Sequence, residues 1–410
     1  MSFARALSRL ALGLCVLCSP LVRAEGNGIL VGETARLHLS FETEARYDSL
    51  AAVGGVGSPS NPQYDPGDLI THLRPGLRLD APGAATSFAG SARLDYQLFT
   101  GLGGPTSQLS YLAAFADAGI DFSHGGPVSF HVGDRFSRSD QTTNPALGVG
   151  SITDANTLEA RLALKPGGGA IEGGIGYAFA IEQYELHDSG NVACDQATCN
   201  GANYGKYASQ THRGTVDLRW RFLPKTAVVA DFSWAARVYQ TAASNVSTDP
   251  LRAEVGLIGL ITEKVRVVVK VGYENTFAGG GQNFQGVIGQ AEIGWEPRET
   301  AKITLGVLRS AEPVSDVYGW YDDWRLYANA SIMLVGKLLF SAGGNVDRIA
   351  FANGDARVDN QGSINAAFEY EFTRNVHAAL GGVLTTRNST ENGVFNYSRG
   401  EAFARLSLAY

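Results

Sequence analysis

Hydrophobic and polar side chains alternate residue by residue along most of this chain. Between Ala35 and Tyr47 the odd positions are mostly apolar, whereas the even positions carry Arg, His, Ser and Glu. Successive side chains of a β-strand point to opposite faces, so this segment predicts a strand with one apolar and one charged face. A helix of the same sequence would mix the two kinds of residue around its circumference.

The same alternation recurs to the end of the chain and predicts eighteen antiparallel strands, although sixteen or twenty would also fit the pattern. Two of the predicted strands, 107–121 and 127–138, break the alternation. The eighteen predicted strands are 34–47, 67–80, 86–100, 107–121, 127–138, 154–164, 170–184, 208–222, 227–239, 250–261, 265–275, 285–296, 301–310, 320–334, 337–349, 358–372, 376–387 and 397–410.

The connections between these strands alternate in length. Tight turns such as 80–84, 223–226 and 373–375 alternate along the chain with longer segments such as 48–66 and 185–207. Short turns at one end and long loops at the other are typical of bacterial membrane barrels. With an even number of strands, both termini lie at the short-turn end, which we expect to face the periplasm.

An apolar face and a charged face on the same sheet indicate lipid on one side and water on the other. Only helices and closed barrels satisfy their backbone hydrogen bonds inside a membrane, and no run of 18 apolar residues is present to form a helix. A secreted soluble β protein is the alternative, but the repeats of a propeller or solenoid are missing. We therefore expect an all-β fold, a transmembrane antiparallel up-and-down β-barrel.

The first 24 residues have the form of a secretory signal peptide. Arg5 and Arg9 precede a short apolar run, and Val22-Arg23-Ala24 resembles a cleavage site. We expect residues 25–410 to form a single outer-membrane barrel domain. The predicted signal peptide contains three arginines and no acidic residue, so its removal would change the formal net charge of the chain from −7 to −10. No basic tract is present, so we expect no nucleic-acid partner.

Cys194 and Cys199 are the two cysteines outside the signal peptide. They lie in a polar segment, and in an exported protein such a pair predicts a disulfide that closes a loop. A metal pair is the alternative, but no His or further Cys is placed to complete four ligands. We expect neither a metal nor a cofactor.

Charged side chains at inward-facing positions are candidates for the wall of a solute path, because a barrel of 16–18 strands encloses an aqueous channel unless it is plugged. The alternative is that they pair across neighbouring strands and stiffen the interior, at ~0.2–1 kcal/mol per pair. The candidates are Arg36, Arg74, Arg78, Arg93, Arg213, Arg219, Arg221, Arg237, Arg252, Arg266, Arg325 and Arg405, with Glu42, Asp95, Asp217, Asp231, Glu254 and Glu292.

Aromatic residues near the predicted strand ends are expected to anchor the barrel at the two membrane interfaces. Signs of catalysis are weak: His187-Asp188 in a long loop is the only suggestive pair, and nucleophile-elbow, phosphate-loop and metal motifs are missing, so we expect no enzyme. The aromatic anchors are Tyr47, Tyr96, Trp220, Trp234, Tyr273, Trp295, Trp320, Trp324 and Tyr410.

Three segments near the N-terminus resemble a known family. They are Arg46-Tyr-Asp-Ser49, Gly67-Asp-Leu-Ile-Thr-His-Leu-Arg-Pro-Gly-Leu-Arg-Leu-Asp80 and Ala92-Arg-Leu-Asp-Tyr-Gln-Leu98. They are similar to the β-barrel porins encoded with bacterial exopolysaccharide secretion systems, which often have Tyr-Asp-(Ser/Asn) after the first strand and then Asp-x-Ile-x-x-Leu-x-Pro-Gly-Leu. The detailed match covers about 50 residues, and Ser49 stands where Asn is usual.

The resemblance implies an outer-membrane barrel that takes part in the export of an exopolysaccharide. Its partners would be outer-membrane lipid, the polysaccharide substrate, a periplasmic polysaccharide-export protein and an inner-membrane co-polymerase. The residues themselves leave two alternatives open. One is a general or solute-specific diffusion porin, and the other is a plugged structural or adhesive barrel.

Overall fold

The structure, a computed structural model, describes residues 28–50, 67–102, 110–139, 151–186, 208–239, 247–279, 283–313, 319–352, 357–390 and 396–410. The predicted signal peptide, the pair Cys194 and Cys199, and His187-Asp188 lie outside these residues.

The described chain is almost entirely β-structure, with one short 3-10 turn at Pro166–Gly168. Its strands are β1 (Ile29–Val31), β2 (Ala35–Asp48), β3 (Asp68–Ala81), β4 (Thr86–Phe99), β5 (Tyr111–Phe122), β6 (Val128–Ser139), β7 (Ser151–Leu164), β8 (Ile171–Leu186), β9 (Ser209–Leu223), β10 (Thr226–Tyr239), β11 (Leu251–Thr262), β12 (Val265–Asn275), β13 (Gln285–Arg298), β14 (Ala301–Pro313), β15 (Trp320–Val335), β16 (Leu338–Phe351), β17 (Val358–Thr373), β18 (Val376–Ser389) and β19 (Tyr397–Ala409).

Strands β2 to β19 form a closed antiparallel barrel. Each strand pairs with the next one in the chain, and β19 pairs back onto β2, with Ala404 opposite Ala45. Every predicted strand has its counterpart among these eighteen, so the predicted fold class and strand number are confirmed. Closure leaves no open sheet edge, and an open edge would be costly in hydrocarbon.

Strand β1 is the element that the alternation did not reveal. It pairs with the start of β2, where Ile29 lies opposite Leu37. β19 does not reach this part of β2, because the amide of Leu39 already bonds to the carbonyl of Tyr410, the last residue. β1 thus pairs with the backbone groups of β2 that β19 does not reach. Its three residues are too few to show a periodic pattern.

The outer face of the barrel is apolar along nearly all of its strands. Leu257, Val269 and Ile293 are each about half exposed on this face. A continuous apolar surface of this extent is not stable in water and fits contact with lipid. Among the described residues, no helix is long and apolar enough to cross a membrane.

The two strands with broken alternation, β5 and β6, differ from the rest on this outer face. Their outward positions include Ala114, Ala116 and Ala118, which give a weak hydrophobic signal, and Asp134. The Asp134 carboxylate accepts a hydrogen bond of 3.2 Å from the Asn156 side chain on the adjacent strand. Small and polar outward residues therefore explain why the pattern weakens here although the strands are regular.

The connections sort by length between the two ends of the barrel. At one end the turns have two to six residues, and at the other end the connections have six to 22. β2 begins and β19 ends at the short-turn end. The predicted sorting of the loops is therefore present in the fold, and both barrel termini lie beside the short turns.

Candidate functional site: the lumen wall

The inward-facing side chains of β2 to β19, here called the lumen wall, include the charged candidates. Most of them form ion pairs or hydrogen bonds with other side chains on the same strand or one or two strands away. This is the pairing role that the sequence left open as the alternative. The pairs are Arg74–Glu42 (2.5 Å), Arg78–Asp80 (2.7 Å), Arg161–Asp217 (2.6 Å), Arg221–Glu172 (2.6 Å), Lys270–Asp231 (2.6 Å), Arg325–Asp347 (2.6 Å) and Arg405–Glu44 (2.9 Å), and Glu292 accepts a hydrogen bond from the Tyr327 hydroxyl (2.8 Å).

A buried ionic network joins the first and last strands of the barrel. Glu44 on β2 is 1% exposed and contacts three guanidinium groups, those of Arg46, Arg74 and Arg405. Asp95 on β4 extends the network through bonds from Arg74 and His72. Burial of a charge is tolerated only with such complete pairing. The network therefore stabilises the closing contact between β19 and β2.

Two acidic residues in the family-like segments hold the long-loop rim of the barrel. Asp68 is fully buried and accepts hydrogen bonds from the Thr100 hydroxyl at 2.6 Å and from the amides of Gly101 and Leu102. Asp48, also buried, pairs with Arg399 on β19. Asp48 and Asp68 thus anchor the chain where it leaves β2 and β4.

A few inward cations have no acidic partner. Arg213 and Arg219 on β9, and Arg266 on β12, form no ion pair with another described residue, and the Nε of Arg219 is buried without a hydrogen-bond partner there. Arg93 instead lies over the ring of Phe115, 4.9 Å from its centre. Of the remaining candidates, Arg36 lies opposite Asp80, and Glu254 lies opposite Asp231.

The long-loop ends of β14 and β15 fold into the lumen. Pairing between β13 and β14 stops at Gly289 and Arg309, whereas β14 and β15 stay paired up to Pro313 and Trp320. Beyond that point the two strands separate from β13, and the amide of Ala311 donates a hydrogen bond to Glu274 on β12. We call residues 310–313 and 320–323 the inward-folded end.

Apolar packing holds one side of the inward-folded end. Ala311, fully buried, packs with Phe284 and Ile288, and Trp320 lies against this cluster with its ring centre 5.3 Å from that of Phe284. The expectation that Trp320 is an interfacial anchor is therefore wrong for this residue, because the fold turns it away from the outer surface. The other eight predicted anchors remain 44–61% exposed.

Ionic contacts hold the other side of the inward-folded end. Arg252 on β11 lies 3.0 Å from Glu274 and 3.3 Å from Glu312, and it also donates a hydrogen bond to the carbonyl of Ala311. We call this set the Arg252 latch. Arg252 and Glu274 lie opposite each other in the register of β11 and β12, whereas Glu312 lies on β14, so strand register alone could not have revealed the contact with Glu312. Glu274 and Glu312 are functional candidates that the sequence analysis missed.

Beneath the latch lies a small pocket with a volume of about 40 Å³. Beside it, Arg237 pairs with Glu182 and donates a hydrogen bond to the Ser209 hydroxyl. Within the described residues, no group of three or more His, Cys, Asp or Glu side chains is placed to hold a metal ion. The pocket wall offers charged and hydrogen-bonding side chains. Its lining residues are Arg213, Ser233, Ala235, Pro250, Arg252, Glu274, Glu312 and Pro313.

Several solved structures of bacterial proteins are similar to this one. OccK3 (OpdO) of Pseudomonas aeruginosa matches 91% of this chain and 95% of its own at 12% identity, with a TM-score of 0.48. OccAB3 of Acinetobacter baumannii matches 92% and 99% at 10% identity, with a TM-score of 0.48. The FrpB iron transporter of Neisseria meningitidis matches 86% and 62% at 9% identity, with a TM-score of 0.50. At these identities the likeness concerns the fold alone.

A search of curated proteins found no match. A family model described as "Putative beta-barrel porin 2" matches residues 110–410, which is more than half of the chain. This part begins after the three N-terminal segments that carry the resemblance noted above, so it is independent of them. Together with the closed barrel and its apolar outer face, it shows that the protein is an outer-membrane β-barrel porin and belongs to this family.

Proposed function

We propose that this protein is a passive channel through which small water-soluble solutes cross the outer membrane. The observation that carries the proposal is the closed wall of eighteen strands with charged side chains on its inner face. Barrels of 16–18 strands are wide enough to enclose an aqueous path. Most inward charges are paired with each other, so the wall is polar without a single dominant sign.

The inward-folded end is the reason for proposing that the solutes are small. It places Ala311, Glu312 and Pro313 in front of β11 and β12, inside the circle of strands. A side-chain-lined segment across one sector of the lumen narrows the path at the long-loop end. Such a narrowing selects solutes by size and by charge, as constrictions in channels do.

Conductance of the purified protein in planar lipid bilayers tests the proposal. We expect spontaneous, stepwise currents at low voltage, and swelling of liposomes that contain the protein in solutions of small neutral solutes. A correctly folded barrel that inserts into the bilayer but carries no current would refute it. That result would favour a plugged structural or adhesive barrel.

Export of an exopolysaccharide is the second candidate, favoured by the resemblance of residues 46–49, 67–80 and 92–98 to porins of secretion systems. A periplasmic polysaccharide-export protein and an inner-membrane co-polymerase would then be partners, and the termini would face the periplasm beside the short turns. Deletion of the gene distinguishes the two candidates. Loss of surface polysaccharide with other outer-membrane proteins intact would favour export, whereas unchanged polysaccharide together with lost solute uptake would favour the diffusion channel.

A further inference from the structure

The pocket beneath the Arg252 latch presents one cation, Arg213, that forms no ion pair with a described residue. Arg213 lines the pocket and forms no hydrogen bond or ion pair with another described residue. The second arginine of the pocket, Arg252, is occupied by Glu274, Glu312 and the carbonyl of Ala311. A guanidinium group without a partner, in a partly enclosed place, is suited to a carboxylate of a solute.

The same pocket contains a carboxylate, that of Glu312, with only one oxygen in contact with a described cation. Glu312 contacts Arg252 through Oε1 at 3.3 Å, while its Oε2 makes no contact of this kind with a described residue. Glu274 differs, because Arg252 and the amide of Ala311 engage its two oxygens. Glu312 is therefore the carboxylate that remains able to accept a hydrogen bond from a cationic group of a solute.

The balance of charge in the pocket favours a solute with charges of both signs. Two arginines and two glutamates line it, so their formal charges cancel. A simple anion would be attracted by Arg213 but repelled by the two carboxylates at close range. A simple cation would be attracted by the carboxylates but repelled by the two arginines. A solute that carries both charges a few ångströms apart can satisfy Arg213 and Glu312 together.

The size of the pocket matches a small head group. A volume of about 40 Å³ accommodates roughly three water-sized groups. The three polar atoms of an α-amino acid head group are of this number and size, and the two carbon atoms that join them would lie toward the lumen. Ser233 adds a hydroxyl, and Ala235 and Pro250 provide a small apolar border. The remainder of such a solute would extend into the lumen.

We propose that this pocket is a binding site for the head group of a small zwitterion, with Arg213 binding the carboxylate and Glu312 binding the ammonium group. The proposal rests on the channel function proposed above and names a class of solute that the channel would favour. It places a selective contact at the inward-folded end, where a solute must pass the narrowed part of the lumen.

Calorimetric titration of the detergent-solubilised full-length protein with glycine, acetate and methylamine tests the site. We expect saturable binding of glycine, and binding of acetate and methylamine that is at least tenfold weaker. Arg213→Gln should weaken glycine binding by roughly tenfold or more, because it removes a charge-assisted hydrogen bond. Arg266→Gln is the matched control, since Arg266 is an inward arginine without an ion pair among the described residues, on β12 away from the pocket.

Three results would overturn the proposal: no saturable binding of glycine, acetate binding as tight as that of glycine, or equal effects of Arg213→Gln and Arg266→Gln. Conductance without added solute separates this inference from the proposed channel function. If the protein conducts ions but does not bind glycine, the proposed binding site is refuted and the channel function is not. A protein that binds glycine through Arg213 but carries no current refutes the channel and leaves the site standing.

Discussion

The Arg252 latch gives a direct way to test whether the inward-folded end narrows the lumen. Glu274 is 1% exposed and accepts hydrogen bonds from Arg252 at 3.1 and 3.2 Å and from the amide of Ala311 at 3.2 Å. Glu274→Gln keeps the shape but removes the charge. Breaking one partner of a buried ion pair costs about 3–5 kcal/mol. We expect the lower end of that range, because Glu312 still contacts Arg252.

A loss of about 3 kcal/mol shifts the balance between the folded-in and released conformations by roughly 100-fold. Packing of Ala311 and Trp320 against Phe284 and Ile288 remains and opposes full release. We therefore expect larger and noisier single-channel currents in planar bilayers. Hydrogen exchange at the Ala311 amide should also become faster by up to the same factor, since Glu274 is its acceptor.

Asp217→Asn is the matched control for this variant. It breaks the 2.6 Å pair with Arg161, which joins wall strands and has no contact with the inward-folded end. The two side chains are 40% and 37% exposed, so the pair is worth only ~0–1 kcal/mol and the current should stay at the wild-type value. If Glu274→Gln leaves both the current and the protection of the Ala311 amide unchanged, the latch does not hold the constriction.

Three further predictions concern the barrel itself. Glu44→Gln should lower the free energy of unfolding by about 3–5 kcal/mol, because its guanidinium partners lose a buried counter-charge; urea titration of the refolded barrel measures this. Leu257→Arg, on the outer face, should cost about 2–4 kcal/mol in bilayers, whereas Gln290→Arg on the inner face should cost much less, and equal losses would refute the assigned faces. Asp68→Asn should expose residues 100–102 to protease without unfolding the barrel, as seen in the cleavage pattern on gels.

The alternation of the sequence was sufficient to predict the strands, but it failed at particular places for physical reasons. β1 escaped because it is only three residues long, and β5 and β6 looked weak because alanines and Asp134 occupy their outer face. β14 continues three residues past the predicted end at 310, into the inward-folded end. Trp320 was predicted at the membrane interface because it is a tryptophan near a strand end. Neither property reveals that this end of β15 folds into the lumen.

The candidate site was predicted less completely than the fold. The inward parity grouped Arg213 and Arg252 as candidates, and the two residues line one pocket although they lie on different strands. Glu274 and Glu312 were missed, because nothing in their local sequence distinguishes them from other acids. Their importance depends on contact of β14 with β11 and β12, from which β13 separates it in the sheet order.

The sequence by itself determined the number of strands, the side of each strand that meets lipid, and the end of the barrel that carries the short turns. These properties are local, because strand geometry sends neighbouring side chains to opposite faces wherever the chain is extended. Only the tertiary structure decided which inward charges neutralise each other, that Glu44 joins the closing strands, and that β14 and β15 leave the wall to form a pocket at Arg213. Those outcomes depend on register and on distances across the lumen, and contacts between residues far apart in the chain are set by closure of the whole barrel.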